Sequence, residues 1–293
     1  MKKGVLFAAA AYAIWGFFPI YFKVLKAVPA FQIMTHRVVW CFLLMVLLVL
    51  FRREWHVIKA ALTPRNLLIY LAAGVILSFN WFIYIWGVNA GFVVETSLGY
   101  FINPLINVLL GVIFLGERMR PAQWVSIGLA ALGVTYLTIA YGSLPWIALS
   151  LAGSFGLYGL IKKVGPLDSL PGLVLETGSV FLPALGFLVL EELRGVGSFG
   201  HAGGVTTALL VFGGILTATP LLLFSGGIRR VPLTTMGLLQ YISPTIQFFI
   251  GVFLYGEPFP QARVVGFGAI WIALIVYTIE GFRNRRKVAW SPV

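Results

Sequence analysis

The stretch FINPLINVLLGVIFLGE, residues 101–117, returns in altered spelling as YISPTIQFFIGVFLYGE, residues 241–257. A shift of 140 positions, from 103 to 243, lays Asn103 on Ser243, Pro104 on Pro244, Asn107 on Gln247, Gly111 on Gly251 and Gly116-Glu117 on Gly256-Glu257. The same shift places Trp15–Val24 (WGFFPIYFKV) on Phe155–Val164 (FGLYGLIKKV). A shift of 142, from 29 to 171, brings Pro29 onto Pro171 and Thr35 onto Thr177. The register holds across whole halves. The chain therefore reads as a duplicated unit, residues 1–141 and 142–293.

Each unit is built for lipid. The chain is 60% hydrophobic and only 10% charged, with a mean hydropathy of +0.96. Soluble domains carry about 25% charged residues, so this chain cannot cover itself with a water-facing surface. A bilayer core needs about 20 apolar residues per helix. Breaks at Gly, Pro and charged residues leave ten such segments, near 4–26, 30–51, 66–89, 92–115, 121–141, 144–163, 169–190, 205–228, 232–255 and 260–282. They lack the period-2 alternation of a membrane barrel. The apolar stretch after Met1-Lys2-Lys3 has the length of a full span and no A-x-A-like site, so it is not read as a cleavable signal. The expected fold is an all-α integral membrane protein of ten transmembrane helices.

Charge placement orients them. Lys and Arg favour the cytoplasmic side. With an inside N-terminus, Lys2, Lys3, Arg52, Arg53, Lys59, Arg65, Arg118, Arg120, Lys162, Lys163, Arg229, Arg230 and the basic cluster at 283–287 fall inside, against Lys26, Arg194 and Arg263 outside. Both termini are expected in the cytoplasm. The net charge of +12 is thus a set of scattered topology signals rather than a nucleic-acid surface. Five helices per unit is an odd number, so the second unit enters the membrane from the opposite side. Two inverted-topology repeats of five are a recurrent plan of secondary transporters.

Four stretches also carry a likeness. THRVVW (Thr35–Trp40), ETSLGYFINPLINVLLGVIFLGER (Glu95–Arg118), GSLPWIALSLAGSFGLYGL (Gly142–Leu160) and LQYISPT (Leu239–Thr245) resemble the RarD branch of the EamA transporters, within the drug/metabolite transporter superfamily. The resemblance covers essentially the full length. It implies ten helices in two inverted repeats and export of small metabolites across the bacterial inner membrane. The RarD label is associated with chloramphenicol sensitivity, so phenicol-type compounds join the expected cargo.

The residues point to where cargo would bind. At 1.5 Å per residue, Asn103 and Ser243 each lie roughly 18 Å into their helices, near mid-bilayer. Each precedes a proline, Pro104 or Pro244, which frees the carbonyl four residues back and suits a hinge. Such interruptions are tolerated beside protein or a water-filled cavity. Asn103 and Asn107 fit two readings, substrate contact and interhelical hydrogen bonding. Gln240 neighbours the second break. Intramembrane ionisable residues are functional candidates. Arg37, with His36 beside it, shares a depth with Asn80 and Glu95, and an Arg37–Glu95 pair would close an outer gate, hold an anionic group or orient helices. Glu176 has no basic neighbour evident at its depth, which suggests proton coupling or a capped helix end. Lys23 is expected to snorkel outward. Most aromatic residues, among them Trp15, Trp81, Tyr84, Trp86 and Phe155, are expected to face lipid or the interfaces. Tyr100, Tyr158 and Tyr241 stand near interrupted stretches, where rings would suit a flat, partly apolar solute, and Trp81 and Tyr84 join them as candidates for the site.

Catalytic grammar is missing. His36, His56 and His201 are far apart and lack H-E-x-x-H spacing, and no Walker motif occurs. Ser97 has no His–Asp partners in view. Asp168 is the only aspartate, which removes the paired-Asp motif of an isoprenoid enzyme. Cys41 stands alone. No cofactor or metal is expected. The partners expected are the lipid bilayer, a small-molecule substrate and protons as the coupling ion. The rival readings are an uncoupled facilitator, a membrane-embedded lipid-modifying enzyme and a sensor.

Overall fold

The computed structural model describes residues 2–90, 92–142 and 145–256, with residues 264–266, 268–269, 271–273, 275–276 and 279 beyond them. The side chains of residues 88, 89, 93–95, 97, 140, 141, 248, 251 and 252 lie outside the description. The structure is built from helices α1 (Lys2–Gly16), α2 (Phe18–Val24), α3 (Ala30–Phe51), α4 (Trp55–Ala61), α5 (Pro64–Asn89), α6 (Val93–Leu115), α7 (Pro121–Tyr141), α8 (Trp146–Val164), α9 (Ser169–Leu193), α10 (Gly204–Ile228), α11 (Leu233–Gln240) and α12 (Ile242–Phe249), followed by a π-helical turn at Ile250–Leu254. Among the described residues, eight segments are long and apolar enough to cross a membrane, α1 and α2 counting as one.

Prolines set several starts. Pro64 and Pro121 occupy the first turns of α5 and α7, where a missing N–H costs nothing. Pro19 opens α2 and separates it from α1 at Phe17. The two copies of the Gly-Glu sentence end alike: Gly116 and Gly256 both stand at φ +62°, the left-handed turn that a Cβ disfavours. The first expected segment, 4–26, is interrupted between α1 and α2. The Phe51–Arg65 connection contains the short helix α4. The ninth segment, expected as one helix over 232–255, breaks at Tyr241, where the Tyr241 N–H reaches Leu238 O, three residues back. Pro244 cannot donate to Gln240 O, which loosens the turn there. Most of the tenth expected segment, 260–282, and Glu257 lie outside the described residues.

The packing is the reverse of a soluble protein. Leu6, Phe51, Leu68, Ile113, Ile139 and Leu193 face outward and are exposed, as a lipid-facing surface requires. The polar side chains Gln32, Arg37, Asn80, Asn103, Asn107, Lys162, Glu176, Gln240 and Ser243 are buried. Lys23 turns its Nζ onto the Tyr255 ring, 3.3 Å from the centroid. Gly237 of α11 lies close under the Pro104 carbonyl of α6, where a Cβ would lie 2.6 Å from that oxygen.

Candidate substrate site

One cavity draws on both halves of the chain. It is lined by Tyr12, Trp15, Phe18 and Phe22 of α1–α2, Arg37 of α3, Asn80, Trp81 and Tyr84 of α5, Gly99, Tyr100 and Asn103 of α6, and Leu151 and Phe155 of α8, with Gln240 and Ser243 at the α11–α12 break. Helix direction fixes its depth. Asn80–Tyr84 come late in α5, while Tyr100 and Leu151 come early in α6 and α8. All of these sit in the half away from the face where the chain begins.

Arg37 is the cation in this wall and is 3% exposed. Its Nε donates to Thr217 Oγ1 at 3.0 Å, the one hydrogen bond it makes among the described residues. Its guanidinium carbon stands 4.5 Å from the Trp81 ring, 5.3 Å from Phe18 and 5.5 Å from Phe22. Electron-rich ring faces hold a cation without neutralising it. The side chain of Glu95, its expected partner, lies outside the described residues. His36 turns away and stacks on Phe199 at 5.3 Å.

The amides divide by role. Asn80 Nδ2 donates to Leu151 O and Ser154 Oγ, both at 2.9 Å, and so fixes α8 against α5. Asn103 lines the cavity with a buried Oδ1 that has no partner among the described residues. Asn107, one turn deeper, donates to Gln240 Oε1 at 2.9 Å and ties α6 to α11 beneath the cavity. Ser243 accepts from Gln247 Nε2 at 3.3 Å. Tyr84 and Tyr100 meet edge to face at 5.5 Å.

Several expectations need correction. Trp15 and Phe155 line the cavity rather than facing lipid, beside Trp81 and Tyr84, which the sequence offers as site candidates. Tyr158 and Tyr241 do not line it. Tyr158 is fully buried and stacked on Phe224 at 6.0 Å, and Tyr241 donates its hydroxyl to Phe101 O at 3.2 Å. Glu176 does have a basic neighbour: Lys162 Nζ lies 2.9 Å from Glu176 Oε2. Lys162 reads in the sequence as a helix-end topology charge, yet it is 3% exposed. One signal was available, since Tyr158 and Lys162 are four residues apart and share a helix face.

Below the cavity, at the face where the chain begins, the helix ends are tied together. Glu117 accepts from the backbone N–H groups of Leu233 at 2.6 Å and Thr234 at 2.9 Å, capping α11. Lys163 Nζ donates to Ile228 O at 2.8 Å and Val231 O at 2.5 Å. Arg229 donates to Gly165 O at 2.8 Å and Leu167 O at 2.5 Å. A carboxylate at a helix N-terminus answers both its free N–H groups and its dipole. Glu117→Ala is therefore expected to cost about 2 kcal/mol, and Glu117→Gln less. Thermal unfolding of the purified protein in lipid checks this.

The comparisons agree with this architecture. The EamA-like transporter family profile matches residues 2–139. The chain is 44% identical over 289 residues to the uncharacterized transporter YojE of Bacillus subtilis (strain 168), covering 97% of this chain and 96% of that protein. It is 40% identical over 289 residues to protein RarD of Escherichia coli (strain K12), 98% of each. A solved crystal structure shares the fold with a TM-score of 0.72 at 17% identity, covering 97% of this chain and 99% of that one. Identity at this level along nearly the whole length accompanies a multi-pass helical fold with an aromatic cavity, and the chain belongs to the EamA-like transporter family.

Proposed function

We propose that this protein is a secondary transporter that exports small amphiphilic metabolites by alternating access, with the Arg37 cavity as its substrate site. One observation carries the reading: a buried guanidinium, bonded among the described residues only to Thr217, stands in an aromatic cavity lined from both halves of the chain. A charge held in low dielectric is costly unless an opposite charge meets it. A cargo with an anionic group and a flat apolar body would answer both the cation and the rings. Phenicol-type drugs offer the flat body without the anion.

The inverted-repeat reading is supported by packing that comes in mated pairs. α6 packs on α8 as α12 packs on α1, and α3 packs on α10 as α9 packs on α5. Under the positive-inside rule the face carrying Glu117, Lys163 and Arg229 is cytoplasmic, the membrane is the bacterial inner membrane, and the cavity lies in the outer half. Exchanging the conformations of the two repeats would open the other side. Asn103 and Ser243 then flank one central site, with Pro104 and Pro244 as its hinges.

The test is counterflow. Purified protein in proteoliposomes is preloaded with amino acids, aromatic carboxylates or phenicol drugs and offered the labelled compound outside. Saturable, protein-dependent exchange is expected for a ring-bearing carboxylate, more strongly than for the neutral phenicol. Exchange of no compound in any class would overturn the transporter reading.

A further inference from the structure

A second buried polar cluster lies outside the cavity wall, at the junction of α8 and α9. Lys162 and Glu176 form an ion pair whose side chains are 2% and 1% exposed. Desolvating two charges costs several kcal/mol per ion, and apolar residues of similar size fill such positions at least as stably. The pair is also half-satisfied. Glu176 Oε1 is buried with no hydrogen-bond partner among the described residues. The Tyr158 ring lies 5.9 Å from Lys162 Nζ, and its buried hydroxyl also has no hydrogen-bond partner among the described residues.

We propose that Glu176 is the proton-binding site that couples transport, with Lys162 as its displaceable counter-ion and Tyr158 as its link to the cavity; this rests on the transporter reading above. The proton adds to the free Oε1. The carboxylate becomes a neutral acid whose new O–H finds an acceptor in the Tyr158 oxygen, a role a tyrosine hydroxyl can fill. No heavy-atom bond changes. Lys162 then loses its anion but keeps a place to stay, with Nζ 5.5 Å from the Tyr70 ring centroid and 5.9 Å from that of Tyr158. Both protonation states thus have a defined set of partners.

The surroundings favour a two-state site. From α8, Lys162 meets Glu176, with the Tyr158 ring beside Lys162. From α5 comes Tyr70, whose ring Lys162 Nζ approaches to 5.5 Å, and from α3 Cys41, buried in the same core as Leu173 and Val174 of α9. The α10 sequence contains no titratable side chain and adds Phe224. α4 meets α9 through Ile58, with His56 and Lys59 exposed. Arg229 is engaged with carbonyls and lies 3.6 Å from Asp168. Among the described residues, Lys162 is therefore the cation in direct contact with Glu176.

The link to cargo is a wall of rings. Tyr158 stacks on Phe224, and Phe155 touches both, at 5.9 Å and 5.5 Å. Phe155 in turn meets Trp15 at 5.7 Å, and both line the cavity. α8 carries all three levels: Leu151 and Phe155 in the cavity, Lys162 in the pair, and Lys163 in the tie to Ile228 and Val231. α9 supplies Glu176 but no cavity residue. Neutralising Glu176 releases a cavity helix from a helix outside the cavity, next to the contacts that close one face.

The test reads proton-driven conformational change without any cargo. In a Cys41→Ala background, Asn103→Cys reports cavity access through its labelling rate by a small thiol reagent in proteoliposomes. Between about pH 5 and about pH 9 the rate is expected to change roughly tenfold. Glu176→Gln should flatten this dependence. Because it strands Lys162, the double variant Lys162→Met/Glu176→Gln is run beside it; it removes both charges and should fold and label at one pH-independent rate. A cysteine whose labelling does not respond to pH beyond the reagent's own chemistry, or one that responds equally in the double variant, overturns the proposal. Neither result bears on counterflow, so failure of the coupling site and failure of the transporter reading are separate outcomes.

Discussion

Arg37→Leu is expected to lower counterflow of a carboxylate-bearing compound by about a hundredfold, the consequence of removing one member of a desolvated charge pair. Arg37→Lys should fall between, because an ammonium keeps the charge but loses the planar fork that grips a carboxylate in two places. It also loses the stacking that places the guanidinium carbon 4.5 Å from Trp81. A neutral compound using the same rings should be affected far less by either change, and that contrast separates lost charge recognition from a damaged fold. Glu95 enters as a second outcome. If Glu95 neutralises Arg37 in part of the cycle, Glu95→Leu alone impairs stability or transport, and the double change Arg37→Leu/Glu95→Leu recovers part of the loss. Strictly additive effects would mean the two do not interact directly. Equal loss for neutral and anionic compounds would remove Arg37 from the recognition of cargo.

The second large effect concerns accessibility at the two repeat mates. Single cysteines at Asn103 and Ser243, in the Cys41→Ala background, are expected to react with a small permeant thiol reagent, and a transported compound should protect both. Asn103 and Ser243 both line the described cavity. A bulky impermeant reagent should therefore reach each from one side only in a locked conformer. With the lock reversed, reaction should come from the other side. Comparing right-side-out with inverted vesicles also tests the assignment of the Glu117 face to the cytoplasm. If neither cysteine reacts, or no transported compound protects either, these residues belong to a packed seam like Asn107, which already bonds to Gln240 across α6 and α11.

Much of the architecture was legible in the sequence because hydropathy is a local property. A bilayer demands apolar length and satisfied backbone groups, so span positions follow from composition and from Pro and Gly. Gly116 and Gly256 could be matched by register, and both stand in the left-handed region that a Cβ disfavours. Asn103 and Ser243 could be matched by register alone, before anything was known of their surroundings.

Helix rotation and side-chain reach were not legible, and they decide the site. In a soluble helix the polar stripe tells which face points inward. In lipid the outer face is as apolar as the protein-facing one, so period alone could not say that Trp15 and Phe155 line a cavity while Leu6 and Ile113 face outward. Long side chains added a second ambiguity. Lys162 and Lys163 are neighbours in sequence, yet one turns inward to Glu176 and the other crosses to the carbonyls of Ile228 and Val231. The sequence by itself determined an all-α chain of membrane-spanning length and apolarity. Only the tertiary structure placed Arg37 among aromatic rings, set Tyr158 and Tyr241 behind the wall and paired Lys162 with Glu176, because those contacts depend on how neighbouring helices rotate against one another.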